Sequence, residues 1–133
     1  MNPKEYRYTS EHEWIRLESP DQVKAGLTNY AQDQLGDIVF LDLPVAGTQV
    51  VQSEKMGEIE SVKAVVDFFS PASGKVLEVN QTVIDAPQLV NQDPYGAGWL
   101  VELELSNHSE LATLMNGDEY DKFIAELEEE GTE

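Results

Sequence analysis

Apolar and polar residues alternate along much of the chain with a period of two, which is typical of β-strands that bury one face. Between Trp99 and Leu105 every second residue is large and apolar, and this run is the clearest example. Shorter runs of strand-like composition lie at residues 5–18, 23–27, 56–60, 65–69 and 75–80. Residues 38–43 are apolar almost without interruption, so we expect a strand that is buried on both faces and lies at the centre of the core.

Helical signals are confined to three short stretches. Thr28 can cap a helix over residues 28–35 that ends at Gly36, a residue suited to the left-handed conformation. Near the C-terminus, Ser109 can cap a second helix and Asp118 a third. The apolar residues of the third helix recur with helical spacing, which predicts a face that docks onto the sheets. These residues are Tyr120, Phe123, Ile124 and Leu127.

The chain carries a repeated turn signature. Pro44 and Gly47 have the same Pro-x-x-Gly spacing as Pro71 and Gly74, and a strand pattern follows each pair. Proline fixes φ for a turn and glycine permits positive φ, so we expect equivalent corners of a duplicated unit. Residues 80–98 are rich in turn-forming residues and predict one long loop. The sequence therefore predicts a mainly β fold of two antiparallel sheets, in a flattened barrel-sandwich hybrid with a pseudo-two-fold repeat and short helices, including C-terminal helices.

Two strand patterns near the middle of the chain are separated by residues that can form a tight turn. This predicts a β-hairpin with Lys63 at or near its tip, pointing to solvent. Lysines near turns are common, and on spacing alone Lys63 is most simply interpreted as a solvated side chain. Asp67 is more unusual, because it interrupts the apolar run of residues 65–69. Since burying an unpaired carboxylate is costly, Asp67 should face solvent or have a partner.

Charge and length limit the classes of function. The formal charge of −18, from 26 acidic and 8 basic residues, disfavours nucleic acid and anionic membranes and favours partners with basic surfaces. The 133 residues fit a single domain over residues 1–133 with one modest core. No apolar run is long enough to cross a bilayer, and the N-terminal residues lack the features of a signal or organelle presequence. We therefore expect a cytoplasmic protein that does not bind membranes.

Motifs of independent catalysis are missing from the sequence. It has no nucleophile elbow, phosphate-binding loop or dinucleotide fingerprint, and it has no cysteine. His12 and Glu13 lack the second histidine of a zinc-binding motif, so we expect no metal site. The sequence therefore predicts that the chain is not an enzyme.

Several blocks of sequence, taken in order, point to one family. The residues around the candidate tip lysine are Glu60, Ser61, Val62, Lys63 and Ala64. Gly47 and Gly74 lie on either side, and further blocks occupy residues 8–14, 26–32, 35–40, 89–91, 93–96 and 98–100. Together they resemble the glycine cleavage system H protein family, in which the first run is the lipoyl-attachment motif. The resemblance covers nearly the whole chain, and several blocks in the same order are more specific than any one of them.

The resemblance implies that Lys63 carries covalently bound lipoate and that the chain is a carrier subunit. Its arm is then expected to take the aminomethyl group of glycine from the pyridoxal-phosphate-dependent glycine decarboxylase to the tetrahydrofolate-dependent aminomethyltransferase. Dihydrolipoamide dehydrogenase reoxidises the arm, and a lipoyl-attaching enzyme installs it. The difficult chemistry belongs to the cofactors. We expect the carrier to be a monomer.

The family also implies a cleft in which the loaded arm rests. Glu13 belongs to a motif that borders this cleft in the family, and Asp67 lies four residues beyond Lys63. We expect a carboxylate to hold the cationic amine of the loaded arm, and Glu13 and Asp67 are the two candidates. Gln34 is a third cleft candidate, at a position where relatives can have His, and residues 25–28 read Ala-Gly-Leu-Thr where Val-Gly-Ile-Thr is usual. These departures leave the resting contacts of the arm open.

Three other functions compete with this interpretation. A biotin carrier is the nearest, but such domains typically flank their lysine with methionines, whereas Val62 and Ala64 flank Lys63. An H-like lipoyl carrier could serve another pathway, such as sulfur metabolism or the transfer of lipoyl groups to other carriers. An unmodified acidic adaptor for basic partners is the alternative from a different class.

Overall fold

The computed structural model describes residues 3–131, which form two antiparallel sheets with short helices around them. In chain order the strands are β1 (Arg7–Tyr8), β2 (Glu13–Ser19), β3 (Gln22–Leu27), β4 (Ile38–Asp42), β5 (Gln49–Val50), β6 (Lys55–Ser61), β7 (Val65–Phe69), β8 (Gly74–Val79) and β9 (Val101–Leu105). The first sheet has the strand order β1-β2-β3-β9-β8-β5, and the second has the order β4-β6-β7. The prediction of a mainly β fold with two antiparallel sheets is confirmed.

The helices are short except for the last one. They are α1 (Asn29–Leu35), α2 (Gln81–Asp85), α3 (Gln88–Gln92) and α4 (Gly117–Gly131), with a 3-10 helix at His108–Thr113. Within the part of the chain that the structure describes, no helix is long and apolar enough to cross a membrane.

Two buried clusters hold these elements together. The larger one combines side chains from both sheets, such as Val23 and Leu103 of the first sheet and Ile59 and Phe68 of the second. The smaller one is aromatic and consists of Tyr6, Tyr8, Trp14 and Tyr120. The rings of Tyr8 and Tyr120 stack with their centroids 4.6 Å apart, which fastens α4 to the first sheet. This confirms that the apolar stripe of the last helix is a docking face.

The caps near the C-terminus differ from the predicted ones. Asn116, rather than Asp118, caps α4: its side chain accepts a hydrogen bond from the Glu119 N–H, and the Glu119 carboxylate accepts one from the Asn116 N–H. This reciprocal pair is a capping box. Asn107, rather than Ser109, caps the preceding 3-10 helix. In both cases an asparagine two residues earlier supplies the capping oxygen.

The two Pro-x-x-Gly segments have different local structures. Gly47 lies in an exposed turn with a φ of 95°, in the region that favours glycine. Gly74 begins β8 and is buried, and a Cβ there would collide with the backbone oxygen of Glu104 on β9. The first glycine is needed for its backbone conformation and the second for the close approach of two strands. The prediction that the two corners are equivalent is therefore wrong.

The segment of residues 80–98 is not one irregular loop, because it contains α2 and α3. The Asn80 side chain caps α2 and also donates a hydrogen bond to the Trp99 carbonyl at 2.8 Å, which joins the two ends of the segment. Val83 and Val90, one from each helix, are fully buried. A five-residue helix is too short to produce a periodic signal, which is why the predicted loop was wrong here.

Strand β4 is buried on one side only. Ile38 and Leu41 are 3% and 4% exposed, whereas Val39 and Phe40 are 48% and 56% exposed. Ile38 pairs with Ser61, and Phe40 pairs with Glu60, the residue next to Ser61 on β6. Two steps along β4 therefore match one step along β6, so β4 carries one extra residue in a β-bulge. The expectation of a strand buried on both faces is wrong, because β4 is the edge of a three-stranded sheet whose outer face is open.

Candidate functional site

The hairpin of β6 and β7 presents Lys63 at its tip. Beyond the last strand pair, the Ser61 N–H donates a hydrogen bond to the Ala64 carbonyl at 2.8 Å. Val62 and Lys63 therefore form a two-residue loop, and both side chains are exposed. The structure thus places Lys63 where the sequence predicts it.

The Ser61 hydroxyl fixes the shape of this loop. Ser61 is buried, and its Oγ accepts hydrogen bonds from the backbone N–H groups of Lys63 and Ala64, each at 3.1 Å. A serine that satisfies the backbone two and three residues ahead stabilises a tight turn. Ser61 is therefore the residue of the attachment motif that holds the tip in one conformation.

The tip rests on the connection between α1 and β4. The Val62 N–H donates to the Asp37 carbonyl at 3.0 Å. Gly36, with a φ of 77°, lies beneath the Lys63 side chain, since a Cβ on Gly36 would be 3.5 Å from Lys63 Cε. The aliphatic stem of Lys63 therefore runs over Gly36 before its amine reaches solvent.

Asn91 on α3 supports this connection from below. Its Oδ1 accepts the Ile38 N–H at 2.9 Å, and its Nδ2 donates to the Gly36 carbonyl at 2.9 Å and to Gln32 Oε1 at 3.0 Å. One side chain thus ties the end of α1 to the start of β4. No role for Asn91 beyond its place in a family-like block could be predicted, because a single asparagine in a turn-rich segment carries no spacing signal.

A cleft of about 570 Å³ lies between α1 and β7, and we name it the α1–β7 cleft. Its lining residues are Glu11, His12, Leu27, Tyr30, Ala31, Gln34, Leu35, Val65, Val66, Asp67 and Phe69. Leu35 directly precedes Gly36, and Val65 is two residues beyond Lys63. The cleft therefore begins beside the hairpin tip.

Two of the three predicted cleft residues, Gln34 and Asp67, line this cleft. The Asp67 side chain is 47% exposed and lies 3.2 Å from Lys55 Nζ, which also contacts the Glu58 carboxylate at 2.6 Å. Asp67 and Glu58 are directly opposite on β7 and β6, so Lys55 offsets the repulsion between them. Asp67 thus faces solvent and also has a partner. A carboxylate that the sequence did not single out, Glu11, also lines the cleft.

Glu13 does not line the α1–β7 cleft but a separate cavity of about 430 Å³. Its carboxyl group is 2% exposed and accepts hydrogen bonds from the Phe69 N–H at 2.9 Å and from the Thr9 hydroxyl at 3.0 Å. Burial raises the pKa of Glu13 to about 8, and the two hydrogen bonds oppose this rise. Because Phe69 borders both cavities, Glu13 is connected to the cleft through the backbone of β7.

His12 is held by hydroxyl groups rather than by a metal-binding set. Its Nδ1 is 2.8 Å from the Tyr120 hydroxyl, which is 2.6 Å from the Thr28 hydroxyl. Thr28 also caps α1, as predicted, by accepting the Ala31 N–H. Burial lowers the pKa of His12, which favours the neutral ring. Residues 3–131 contain no cluster of three or more His, Asp or Glu side chains that could hold a metal ion.

Fold and site together define a carrier-type β domain, in which a two-sheet scaffold displays a lysine on a hairpin tip beside a cleft. The family model described as Glycine cleavage H-protein matches residues 6–127. The chain belongs to the glycine cleavage H-protein family. This confirms the predicted family and its lipoyl-carrier role in glycine cleavage, and membership of that system implies enzyme partners within it.

Individual relatives agree with this assignment. The chain is 48% identical over 129 residues to the glycine cleavage system H protein of Carboxydothermus hydrogenoformans. This alignment covers 97% of this chain and 96% of the relative. It is 51% identical over 124 residues to the glycine cleavage system H protein of Symbiobacterium thermophilum. This alignment covers 93% of this chain and 96% of the relative. The crystal structure of a glycine cleavage system H protein from Mycobacterium marinum matches with a TM-score of 0.87 at 39% identity, covering 93% of this chain and 99% of that one.

Proposed function

We propose that the chain carries lipoate, joined by an amide bond to Lys63, as the shuttle of a glycine cleavage system. The observation that carries this proposal is the hairpin tip, where Lys63 is exposed in a two-residue loop whose shape Ser61 fixes. Glu60, Val62 and Ala64 complete the attachment motif around it. When bound, lipoate supplies a disulfide that takes up the aminomethyl group of glycine.

The surroundings of Lys63 fit a long acyl chain that ends in a small polar group. The lysine stem already lies over Gly36, next to the mouth of the α1–β7 cleft. Leu27, Leu35 and Val66 contribute apolar lining to that cleft, which suits hydrocarbon. The carboxylates that line the same cleft suit a cationic amine.

Asp67 is the residue to which we assign direct pairing with an amine that enters the cleft. It lines the cleft, carries a partly exposed carboxylate and is in salt-bridge contact with one cation of residues 3–131, Lys55. Because this carboxylate is half exposed, one ion pair with it is worth no more than ~1 kcal/mol. Glu11 is the second carboxylate of the cleft, and Gln34 forms part of its wall.

Glu13 has a different part in this proposal, as a positioning residue. Glu13 is the other candidate for pairing with the amine, but its carboxyl group is buried behind β7. It holds the Phe69 N–H and thereby fixes the strand that bears Asp67. We therefore propose that Glu13 affects the cleft only through the position of β7.

The enzyme partners follow from this role. A lipoyl-attaching enzyme modifies Lys63, and glycine decarboxylase, aminomethyltransferase and dihydrolipoamide dehydrogenase act on the arm. The charge of −18 suits partners with basic surfaces. We propose that the chain contributes no catalytic group of its own and acts as a cytoplasmic, single-domain monomer over residues 1–133.

Intact mass measurement with peptide mapping, after expression in a host that attaches lipoate, tests the proposal. We expect one lipoyl adduct on Lys63 and none in the Lys63→Arg variant. Addition of the modified protein to purified glycine decarboxylase, aminomethyltransferase and dihydrolipoamide dehydrogenase should restore glycine-dependent NADH formation. An adduct on Lys55 or Lys75, a biotin adduct, or a modified protein that supports no glycine cleavage would each contradict it.

A further inference from the structure

Exposed apolar side chains are concentrated around the hairpin tip. Among residues 3–131, seven large apolar side chains are exposed, and four of them lie on β4 or at the tip. These four are Val39, Phe40, Val62 and Val65, with exposed fractions of 48%, 56%, 65% and 59%. Isolated exposed apolar residues need no explanation, but a cluster beside one functional lysine indicates a contact surface.

The bulge in β4 creates this cluster. In a regular strand Phe40 would point to the side opposite Val39, because successive side chains alternate. The extra residue between Ile38 and Phe40 shifts the alternation, so Val39 and Phe40 are both exposed while Leu41 is buried. Phe40 is directly opposite Glu60, and Glu60 is directly opposite Val65, so these three side chains form a row across the outer face of the second sheet. We name Val39, Phe40, Glu60, Val62 and Val65 the tip face.

A row of carboxylates borders the tip face. Asp42, Glu58 and Asp67 are directly opposite one another on the three strands, two residues farther from the tip than the row with Glu60. Lys55 is the one cation in salt-bridge contact with this row within the described part of the chain. The tip face is therefore apolar beside the lysine and acidic at its border. A complementary partner has an apolar recess with arginine or lysine at its rim.

We propose that the tip face is the docking surface for the enzyme that acylates Lys63, which makes this inference dependent on the proposed lipoylation. That enzyme must act on the lysine itself: deprotonated Nζ attacks the carbonyl carbon of an activated acyl donor such as an acyl adenylate. The C–N bond forms, the bond from the carbonyl carbon to the leaving phosphate oxygen breaks and takes its electron pair with it, and Nζ releases a proton. Bond formation at Nζ requires the enzyme to cover the tip, and Val62, Val65 and Phe40 are what it meets there. Enzymes that act on the distal end of the arm have no such requirement.

The test compares acylation rates of the purified, unmodified chain by a lipoyl-attaching enzyme supplied with lipoate and ATP, followed by intact mass. The test variant is Phe40→Thr with Val65→Thr, because threonine keeps the preference for strands. The control is Leu17→Thr with Val51→Thr, at positions that are also 57% and 51% exposed but lie outside the tip face. We expect kcat/KM to fall at least about tenfold in the test variant, mainly through KM, and to stay within about twofold in the control.

A binding measurement keeps the result independent of turnover. Lys63→Arg cannot be acylated but retains the tip face, so it should inhibit acylation of the wild type competitively. Lys63→Arg with Phe40→Thr and Val65→Thr should inhibit at least about tenfold more weakly.

If the wild type is acylated on Lys63 and the test variant is acylated equally fast, the inference fails while the proposed function stands. It also fails if the test variant is slowed only in its reactions with the glycine-cleaving enzymes. If the wild type acquires no lipoyl group, the proposed function fails and this inference fails with it.

Discussion

The Glu13 carboxyl group accepts a hydrogen bond from the Phe69 N–H at 2.9 Å, which joins β2 of the first sheet to β7 of the second. Phe69 is at the end of the strand that carries Asp67, and it borders both cavities. A buried acid therefore supports the cleft wall from behind. This contact has measurable consequences for stability, because the pKa of Glu13 is shifted to about 8.

The first prediction concerns Glu13→Gln and the dependence of stability on pH. The pKa of Glu13 rises from 4.5 to about 8 on burial, so the folded state binds a proton that the unfolded state has lost. The contribution of Glu13 to stability is therefore fully present below about pH 4.5 and is lost as pH rises through about 8. Within this window the free energy of unfolding should fall by up to ~1.4 kcal/mol per pH unit through this group.

Urea unfolding at pH 5, 6, 7 and 8 measures this effect. Glu13→Gln removes the titration, and its profile should fall less steeply with pH than that of the wild type. At pH 5 the Glu13 carboxyl group is protonated and, like the amide of glutamine, has one carbonyl acceptor and a donor, so the two proteins should have similar stability there and the variant should be the more stable one near pH 8. His12 has a lowered pKa, so its contribution is lost as pH falls, and it is present in both proteins. Parallel profiles for the two proteins would show that Glu13 does not titrate in this window.

The second prediction concerns Lys63→Arg. Because the side chain is exposed at the tip, the free energy of unfolding should change by less than ~0.5 kcal/mol. Lipoylation should be lost completely, since a guanidinium is not acylated under these conditions. Circular dichroism, urea unfolding and intact mass together check both parts. Glycine cleavage supported by the arginine variant would remove the central claim about this lysine.

The sequence predicted the elements whose pattern is local and long enough to read. The alternation up to Leu105 gives β9, and two strand patterns around a short turn give the hairpin that carries Lys63. The bulge at Val39 could not be predicted. Residues 38–41 are all apolar, so the sequence has no alternation that would show which of these side chains face outward. Glu13 illustrates the same limit for a polar residue. Its burial depends on the position of Phe69, which is 56 residues away.

The third prediction concerns Asn91→Ala. The change removes hydrogen bonds to Gly36, Ile38 and Gln32 and leaves the Ile38 N–H without its acceptor, so we expect a destabilisation of ~1–3 kcal/mol. The connection beneath the tip should also open more often. Hydrogen exchange of the Val62 N–H, which is bonded to Asp37 in that connection, should therefore accelerate more than exchange in β9.

Asn29→Ala is the matched control for this change. Asn29 is exposed on α1, and its Oδ1 accepts a hydrogen bond from Gln32 Nε2 at 2.9 Å, so this control perturbs the Gln32 side chain but removes none of the hydrogen bonds to Gly36 and Ile38. Its replacement should change the free energy of unfolding by no more than ~0.5 kcal/mol. If Asn91→Ala behaves like this control, the Asn91 amide does not hold the connection.

The fourth prediction concerns Asp67→Asn in the lipoylated, aminomethyl-loaded protein. Loss of the cleft carboxylate should release formaldehyde and ammonia about two- to fivefold faster when no partner enzymes are present, as expected for one partly exposed ion pair. Lipoylation of Lys63 should be unchanged. The control is Asp42→Asn, which removes an equal charge from the same row of carboxylates but does not line the α1–β7 cleft. Equal release rates for the two variants would mean that Asp67 is only a solvated strand residue.

The fifth prediction concerns Lys55, which lies 3.2 Å from Asp67 and competes with any other cation for that carboxylate. Lys55→Gln leaves Asp67 and Glu58 opposite each other without their shared cation, which makes this part of the surface more negative. An amine in the cleft should then be held more firmly, and release from the loaded protein should slow about two- to fivefold. Lys75→Gln, an exposed lysine on β8, gives the same change in net charge away from the cleft and should leave the rate unchanged. The difference between the two variants should shrink as salt is added, because exposed charges are screened. Faster release from Lys55→Gln than from Lys75→Gln would show that Lys55 orients Asp67 rather than competing for it.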